Sequence, residues 1–369
     1  MKVVIFHHHD MDGFASAAII SAAVSNLMRG SYNQYNVSDE NIEYVVCDHS
    51  SEIKFDAETL TPDTLVFIVD YSPSNPEHLK LFSRIFDIVE GNMVWIDHHA
   101  TSADVMEHNP IMKHIANSTG YVDPDNTAAA TVMCYEWYTA ALRTFNQELD
   151  LYTNLMNIYY ELDEVSPIIP YWIKLVDDYD RWQRDMDDSL EFNNGCYYYG
   201  LHNVFTKISS LCNEVPDSFR DLIVMSSGSR PEFERYSCDQ KCEKIISTGK
   251  IVTEAKSRDN KRLVNAISFE REFQTKDGTS YKVICLDAVG NSSVFGDKYD
   301  EYDAVCLFSY NGTHYEYSMF AKDSSPIDCS AFAKYFGEKY GITGGGHLHA
   351  AGWSTPENIL EKNIIKMGN

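Results

Sequence analysis

The chain has 369 residues, of which 44% are hydrophobic and 23% are charged, and its formal net charge is −25 at pH 7. This length is sufficient for two domains that each bury a core, and the composition is ordinary for a globular protein. The acidic balance excludes a role that depends on wrapping a long duplex nucleic acid, because duplex affinity comes from Lys and Arg on phosphates. A short nucleotide bound through metal ions is compatible with it.

No apolar stretch of the sequence approaches the roughly 20 residues that a membrane-spanning helix needs, so no membrane is expected among its partners. Met1 and Lys2 lead directly into an apolar run, without the apolar region of a signal peptide. The nine cysteines are an odd number and are scattered mostly through apolar runs, which is typical of reduced thiols. We therefore predict a cytoplasmic protein.

The first hundred residues alternate between short apolar runs and helical segments. The apolar runs at residues 3–6, 42–47, 64–69 and 92–96 resemble buried parallel strands that helices cover on both faces. Residues 13–28 are rich in small helix-forming residues, which predicts a helix packed closely on the sheet. This alternation is typical of an α/β fold with a doubly wound, mainly parallel sheet.

A second, smaller α/β domain is predicted after a mainly helical stretch. A helix should open at residues 127–132 with Asn126 or Thr127 as its N-cap, and residues 150–190 are helical in pattern. Strands are predicted at residues 262–268, 281–286, 304–309 and 314–320, and a helix at 328–339. We therefore divide the chain into a domain at residues 1–190, a connector at 191–248 and a domain at 249–369, with a cleft between the domains.

Three of the predicted strands run directly into residues that can bind metal ions. These residues are His8, Asp10 and Asp12 after the first strand, Asp70 after the third, and Asp97, His98 and His99 after the fourth. Ligands gather at the carboxyl ends of the strands in such sheets, and alternate residues of an extended chain point the same way. Burying so many like charges together is costly unless cations bind between them. The sequence therefore predicts a metal site at this edge.

The donor atoms indicate which ions the site prefers. Oxygen and imidazole ligands without a thiolate suit Mn²⁺, Mg²⁺ or a similar octahedral ion, and the centrally placed Asp70 could bridge two ions through its carboxylate. Two ions about 3.5–4 Å apart can activate water and clamp the oxygens of an in-line displacement at phosphorus.

These motifs, together with a C-terminal Gly-Gly-Gly-His at residues 344–347, resemble the DHH phosphoesterase family with its DHHA1 domain. Within that family, residues 7–13, the Tyr-Asp-Arg-Trp element at 179–182 and residues 291–297 are most similar to the nanoRNase B branch. The resemblance covers nearly the whole chain. It implies a DHH catalytic domain followed by a DHHA1 substrate-binding domain.

The resemblance also implies a role for each site residue. Two divalent ions are expected, Mn²⁺ first, with Mg²⁺ or Co²⁺ as alternatives. His8 and Asp10 would hold one ion, Asp12 the other, and Asp70 both. His98 and an aspartate of the fourth motif, Asp180, would complete the second site, while His7 is an alternative to His8, and Asp177 and Asp178 are alternatives to Asp180. His99 would act beside the substrate, and Asp97 would orient the histidines.

In the C-terminal domain the resemblance implies a substrate clamp. Its predicted members are Gly344, Gly345, Gly346, His347, Ser318, Lys322 and Asn291. Glycines let backbone N–H groups approach a phosphate closely. Family members often carry Ser-x-Arg on the strand before the glycines, but here Phe320 occupies the Arg position. Lys322 could substitute only as a point charge, because it lacks the two-pronged geometry of Arg.

The function that follows is a hydrolase of the exonuclease or oligoribonuclease type. We expect a phosphodiesterase that converts very short single-stranded oligonucleotides or linear dinucleotides to 5′-mononucleotides. One alternative is a phosphatase or phosphodiesterase acting on 3′-phosphoadenosine 5′-phosphate or on a cyclic mono- or dinucleotide. Another is a nucleotide-binding protein without catalysis. The sequence leaves open the choice of RNA or DNA, the polarity of attack and a homodimer.

Overall fold

The structure is a computed structural model that describes residues 1–28, 37–49, 51–201, 232–322, 324–342 and 344–367. The chain divides into two compact units, Met1–Val252 and Thr253–Asn369. The predicted connector at 191–248 includes residues 202–231, which lie outside the described part. The three-part division of the chain therefore stays a prediction.

The first unit is built on a parallel sheet of five strands in the order β2-β1-β3-β4-β5. The strands are β1 (Val3–His8), β2 (Ile42–Cys47), β3 (Leu65–Val69), β4 (Met93–Asp97) and β5 (Tyr121–Val122). Alternate residues of the central strands feed separate apolar clusters on the two faces, as the continuous apolar runs require. The order reverses between β1 and β3, and ligands bind beyond the strand ends at such a reversal.

Eight described helices lie wholly within this unit. They are α1 (Met11–Met28), α2 (Pro76–Ile88), α3 (Thr101–His108), α4 (Pro110–Ala116), α5 (Ala130–Thr144), α6 (Leu151–Glu161), α7 (Tyr171–Asp180) and α8 (Ser189–Tyr199). Apolar residues of α1 and α5 pack in one cluster, and those of α2 and α4 pack in the other. The predicted α/β class with helices on both faces of a parallel sheet is confirmed.

Helix α1 corrects the expectation that no segment is apolar enough to cross a membrane. Its 18 residues have a mean hydropathy of 1.3, so by length and composition alone this helix could cross a membrane. However, 89% of this window is buried inside the protein. Its small residues, such as Ala15, Ala18 and Ala22, let it pack closely on its neighbours in the core. The helix is therefore apolar because it is buried inside the protein.

Helix α5 begins at Ala130 and not at Thr127, so the predicted N-cap at Asn126 or Thr127 is wrong. The backbone N–H groups of Ala130 and Thr131 donate instead to the carboxylate of Asp12, at 2.9 and 2.8 Å. A carboxylate at a helix N-terminus satisfies the free N–H groups there and interacts favourably with the helix dipole. The cap therefore comes from a residue 118 positions earlier in the chain.

The second unit contains a mixed sheet of seven strands in the order β10-β11-β9-β8-β7-β6-β12. The strands are β6 (Phe269–Gln274), β7 (Ser280–Asp287), β8 (Ala304–Tyr310), β9 (Tyr315–Ala321), β10 (Gly344–His347), β11 (Ala350–Thr355) and β12 (Ile364–Lys366). The helices are α9 (Glu232–Ile267) and α10 (Cys329–Tyr340), and α9 begins in the first unit. Helix α10 packs on one face of the sheet, while Val264 of α9 and Phe295 pack in a cluster on the other. This is the smaller α/β domain that the sequence predicted.

The structure corrects the predicted strands of this unit at two places. Residues 262–268, expected as a strand, are mostly the last turns of α9, where Val264 is buried and Leu263 and Ile267 are exposed. The glycine segment at 344–347, which was not among the predicted strands, is the strand β10 and pairs antiparallel with β11. A Cβ atom on Gly344 would lie 2.2 Å from the carbonyl oxygen of Ala333 in α10, so close packing against this helix also requires a glycine here.

Replacing Gly13 with alanine should destabilise the first unit. A Cβ atom at this position would lie 2.3 Å from the backbone carbonyl oxygen of His8, so α1 and the end of β1 must move apart. Forced repacking of this kind typically costs about 1–3 kcal/mol of unfolding free energy. Chemical denaturation measures this loss, and an unchanged midpoint would contradict the close approach.

Candidate metal centre

The site lies beyond the carboxyl ends of β1, β3 and β4, next to the reversal in strand order. Asp70 follows β3, and its backbone N–H donates to the carbonyl oxygen of Ile96 at 2.9 Å. Its φ angle of 54° lies in the left-handed region, which Asp tolerates better than most residues. This backbone conformation places a carboxylate that is only 1% exposed among the ligands from the neighbouring strands.

One group of possible metal ligands consists of His8, Asp10 and Asp70. His8 Nδ1 lies 2.7 Å from Asp10 Oδ2 and 3.9 Å from Asp70 Oδ2. Asp10 is held in place by the backbone N–H of Gly13, which donates to its Oδ1 at 2.9 Å. Of the three alternating residues predicted to converge after β1, His8 and Asp10 belong to this group, whereas Asp12 belongs to a second one.

A second group consists of Asp12, His98 and Asp180. His98 Nε2 lies 3.5 Å from Asp12 Oδ2 and 3.4 Å from Asp180 Oδ2. The same nitrogen is 3.2 Å from Asp70 Oδ1, so Asp70 contacts both groups with different oxygens. Asp70 therefore lies between the two groups, and its predicted role as a bridge between two ions stays a prediction.

His99 lies beside these groups and is held by Asp97. Its Nδ1 donates to Asp97 Oδ1 at 2.8 Å and lies 3.8 Å from Asp70 Oδ1. Burial alone would lower the pKa of His99, but the hydrogen bond to Asp97 and the surrounding carboxylates outweigh it and raise the pKa to about 9. Asp97 therefore orients His99, as predicted, whereas His98 takes its orientation from another residue.

The carboxylates of the centre are in an unfavourable environment without a cation. Burial, followed by repulsion from the neighbouring carboxylates, raises the pKa of Asp70 and of Asp180 well above the usual value for aspartate. Burial also raises the pKa of Asp12. For Asp10, burial is outweighed by the hydrogen bond and charge of His8, which lower its pKa.

The residues fit a pair of divalent cations. Asp70 Oδ2 is buried and has no hydrogen-bond partner among the described residues. A buried carboxylate oxygen left unpaired in a native fold calls for an explanation, and an ion is a common one. The donors are imidazole nitrogens and carboxylate oxygens, which suit Mn²⁺ and related ions. His8, Asp10 and Asp70 could hold one ion, and Asp12, Asp70, His98 and Asp180 the other.

The structure places the alternative ligands elsewhere. The ring of His7 bonds the carbonyl oxygen of His8 through Nδ1, and burial lowers its pKa to about 4. Asp177 forms a two-pronged ion pair with Arg181 and accepts the N–H of Ala129 at 2.7 Å. Asp178 accepts the backbone N–H groups of Asp185 and Met186. This arrangement favours His8 and Asp180 as ligands.

Two further residues at the centre were not predicted. Asn126 Oδ1 accepts a hydrogen bond from His98 Nδ1 at 2.8 Å and so leaves Nε2 directed at the carboxylates. The ring of His49, after β2, lies 5.4 Å from the ring of His8 and stacks at 4.9 Å on Tyr71. Asn126 is a loop residue with a left-handed φ of 55°. Loop residues follow no periodic sequence pattern, so its role could not be predicted from one.

Replacing Asn126 with alanine should weaken metal binding. The hydrogen bond to His98 fixes the ring orientation, and the loss of such a partner typically costs about 10- to 100-fold in metal affinity. Calorimetric titration with Mn²⁺ measures the change. Asn126→Asp keeps an acceptor oxygen and should retain most of the affinity. Asn92→Ala removes an amide that bonds Pro62 before β3 and should leave Mn²⁺ binding unchanged.

The predicted clamp residues of the second unit have the following partners. Asn291 caps the 3-10 segment Ser292–Glu301 by accepting the N–H of Ser293, and Lys322 lies 2.9 Å from Asp300 in an ion pair. Ser318 is on β9, opposite Gly352 of β11. A Cβ atom on Gly345 would meet nothing within 4 Å, whereas one on Gly346, at φ 140°, would lie 2.5 Å from Ala351. The side chain of His347 lies outside the described part of the structure.

Comparison with known proteins finds a family match within the first unit. Residues 2–160 match the DHH family, N-terminal domain. No curated protein matches the sequence significantly.

The chain is also distantly similar to several solved structures. One is described as a member of the s1p family of ribosomal proteins, DHH domain (13% identity, 95% of this chain and 82% of that chain covered, TM-score 0.47). Another is the pGpG-specific phosphodiesterase PggH from Vibrio cholerae (13% identity, 98% and 95% covered, TM-score 0.44). A third is RecJ in complex with Mn²⁺ from Thermus thermophilus (12% identity, 96% and 49% covered, TM-score 0.41).

The family assignment rests on residues 2–160, which contain the ligands of the first group and most of those of the second. Members of the DHH family are metal-dependent phosphoesterases, in agreement with the chemistry that the strand-end ligands predicted. Residues 2–160 therefore match the N-terminal domain of the DHH family, a family of metal-dependent phosphoesterases.

Proposed function

We propose that the protein is a Mn²⁺-dependent phosphodiesterase with two metal ions that hydrolyses very short oligonucleotides or linear dinucleotides to 5′-mononucleotides. The observation that carries this proposal is the position of Asp70, whose two carboxylate oxygens face different ligand groups. One of them, Oδ2, is buried and has no hydrogen-bond partner among the described residues. Bound in these groups, two divalent ions supply activation of water and stabilisation of the charge that develops on the phosphate oxygens.

The residues around the centre have distinct tasks in this proposal. Asn126 and Asp97 orient His98 and His99 through the Nδ1 atom of each ring. The Nε2 atom of His99 is then left to exchange a proton or a hydrogen bond with the substrate. This supports His99 as the acid–base group, since a positioned imidazole is the side chain most often used for that task.

The finer features of the substrate are proposed from sequence similarity. The Tyr-Asp-Arg-Trp element at 179–182 and residues 291–297 resemble nanoRNase B enzymes, which supports linear dinucleotides and short oligonucleotides as substrates. We also propose that the second unit is a DHHA1 domain, in which the backbone of Gly345, free of packing constraints on a Cβ, approaches a phosphate. The seven cysteines whose side chains the structure describes are all free, which supports a cytoplasmic location.

Product analysis tests this function. The full chain is incubated with a diribonucleotide, the linear dinucleotide pGpG, a longer RNA, a cyclic dinucleotide and 3′-phosphoadenosine 5′-phosphate, each with Mn²⁺ and with EDTA. We expect rapid conversion of the two linear dinucleotides to mononucleotides, abolished by EDTA. Turnover of only the cyclic or 3′-phosphorylated compounds would replace the proposal with a phosphodiesterase or phosphatase for small nucleotides, and binding without turnover would indicate a nucleotide-binding protein.

A further inference from the structure

A cavity of about 220 Å³ in the first unit opens next to the candidate metal centre. Its lining includes three carboxylates of the centre, Asp10, Asp12 and Asp180. It also includes the aromatic side chains of Tyr179, Trp182 and Tyr197. Cavities that hold drug-sized ligands have volumes of roughly 300–1,000 Å³, so this one suits a single ring system attached to a larger molecule.

A buried polar residue, Asn193, lies on α8 and lines the cavity. The residue is only 5% exposed, and its Oδ1 atom is buried without a hydrogen-bond partner among the described residues. Since a buried polar atom without a partner costs free energy, a ligand that reaches Asn193 and donates an N–H to this oxygen would remove that cost.

The aromatic lining is held in an unusual conformation. The rings of Tyr179 and Trp182 stack with their centroids 6.1 Å apart, and the guanidinium of Arg184 lies 5.1 Å from the first and 4.3 Å from the second. Trp182 and Arg184 have φ angles of 55° and 57°, which bulky residues rarely adopt. Such strain is concentrated at functional sites. The strained backbone and Arg184 together position an indole that is 53% exposed.

We propose that this cavity is a nucleobase subsite formed by Tyr179, Trp182, Asn193 and Tyr197. The inference rests on the proposed function and states where the base of a nucleotide lies when its phosphate is at the metal centre. Aromatic side chains stack on any base and so provide affinity without strong selectivity. Asn193 adds a hydrogen bond to the amino group or ring N–H that every natural base presents, and so distinguishes these bases only from analogues that lack such a donor.

Calorimetric titration of the Mn²⁺-loaded full chain tests the subsite with three probes, AMP, ribose 5-phosphate and purine riboside 5′-monophosphate, which lacks the amino group. The wild-type protein should bind AMP at least about 10-fold more tightly than ribose 5-phosphate, because only AMP has a base to stack. Trp182→Leu and Tyr197→Leu should each weaken AMP binding by about 5-fold or more and leave ribose 5-phosphate unchanged. Tyr198→Leu, at an exposed neighbour on α8 outside the cavity lining, should change neither.

Asn193→Leu has a signature of its own. It should remove a preference of about 2- to 10-fold for AMP over purine riboside 5′-monophosphate, the size expected for one hydrogen bond. The same variant should unfold at a higher temperature than the wild type, because a buried amide without a partner has been replaced by an apolar side chain of similar size. A residue with a purely structural role would not combine higher stability with weaker, less selective binding.

Two outcomes would overturn the subsite: equal affinity of the wild type for AMP and ribose 5-phosphate, or variants that lose affinity for both equally. Failure of the proposed function is distinguishable. If no dinucleotide is hydrolysed but the variants lose the preference for AMP, the subsite stands and the dinucleotide activity is wrong. If dinucleotides are hydrolysed and AMP has no advantage over ribose 5-phosphate, the activity stands and the subsite is wrong.

Discussion

Replacing Asp70 with asparagine is expected to abolish metal-dependent hydrolysis and yet to stabilise the metal-free protein. The catalytic rate should fall by about 10³-fold or more, because several kcal/mol of charge stabilisation at the transition state would depend on the ions that this carboxylate would help to hold. Asparagine keeps the size of the side chain and tolerates the left-handed backbone at this position. Activity assays and Mn²⁺ titration measure the first effect, and thermal or chemical unfolding in EDTA measures the second.

The gain in stability follows from the direction of the pKa shift. Burial and the repulsion of neighbouring carboxylates raise the pKa of Asp70 in the folded protein, so its ionisation opposes folding. The folded state therefore retains a proton that the unfolded state releases above its ordinary pKa of about 3.9, and the free energy of unfolding falls as pH rises beyond that value. The advantage of Asp70→Asn in metal-free protein should accordingly be small near pH 4 and grow toward neutral pH.

Asp178→Asn is the matched control, since Asp178 is also buried and also has one oxygen without a partner among the described residues. Its Oδ1 accepts two backbone N–H groups, and the amide oxygen of asparagine can do the same. This variant should keep both Mn²⁺ binding and activity. A metal-free Asp70→Asn protein that is less stable than the wild type at neutral pH would show that Asp70 is not held in a repulsive cluster.

The ends of the central strands could be predicted because the signal is local. Continuous apolar runs marked β1 to β4, and three of them, β1, β3 and β4, stop where a predicted ligand begins. His8, Asp70 and His98 were therefore placed at one edge without any tertiary information. The cap of α5 could not be predicted in this way. Its acceptor, Asp12, is far away in sequence and serves as a possible ligand as well. Only the folded chain shows that one carboxylate does both.

The errors in the second unit also arise from contacts between residues that are far apart in sequence. Residues 262–268 contain apolar side chains at spacings that suit either a strand or a short stretch of helix. In the structure these residues are helical because they extend the long helix α9. The glycines of β10 were interpreted only through their freedom to approach a phosphate. Gly344 and Gly346 are also required by close contacts with Ala333 and Ala351. Close packing between elements distant in sequence leaves no local pattern, so Gly345 alone retains the simple interpretation.

Alanine substitutions at three neighbouring aspartates of α7 should have sharply different effects. Asp180→Ala should reduce activity by about 10²-fold or more and lower the number of bound Mn²⁺ ions from two to one, because His98 and Asp12 then lose the third ligand of their group. Its effect on the stability of the metal-free protein should be slight or favourable, since burial and repulsion raise the pKa of Asp180. Metal analysis and assays at saturating Mn²⁺ measure these changes.

The other two variants should lose stability and not chemistry. Asp177→Ala removes a two-pronged ion pair with Arg181, and Asp178→Ala leaves two buried N–H groups without an acceptor. Each should cost about 1–3 kcal/mol of unfolding free energy while the folded fraction still binds two ions. If Asp178→Ala instead lost one ion and Asp180→Ala kept both, the fourth-motif ligand would be Asp178. The α7 helix would then have to turn by part of a turn when metal binds, because Asp178 now points to Asp185 and Met186.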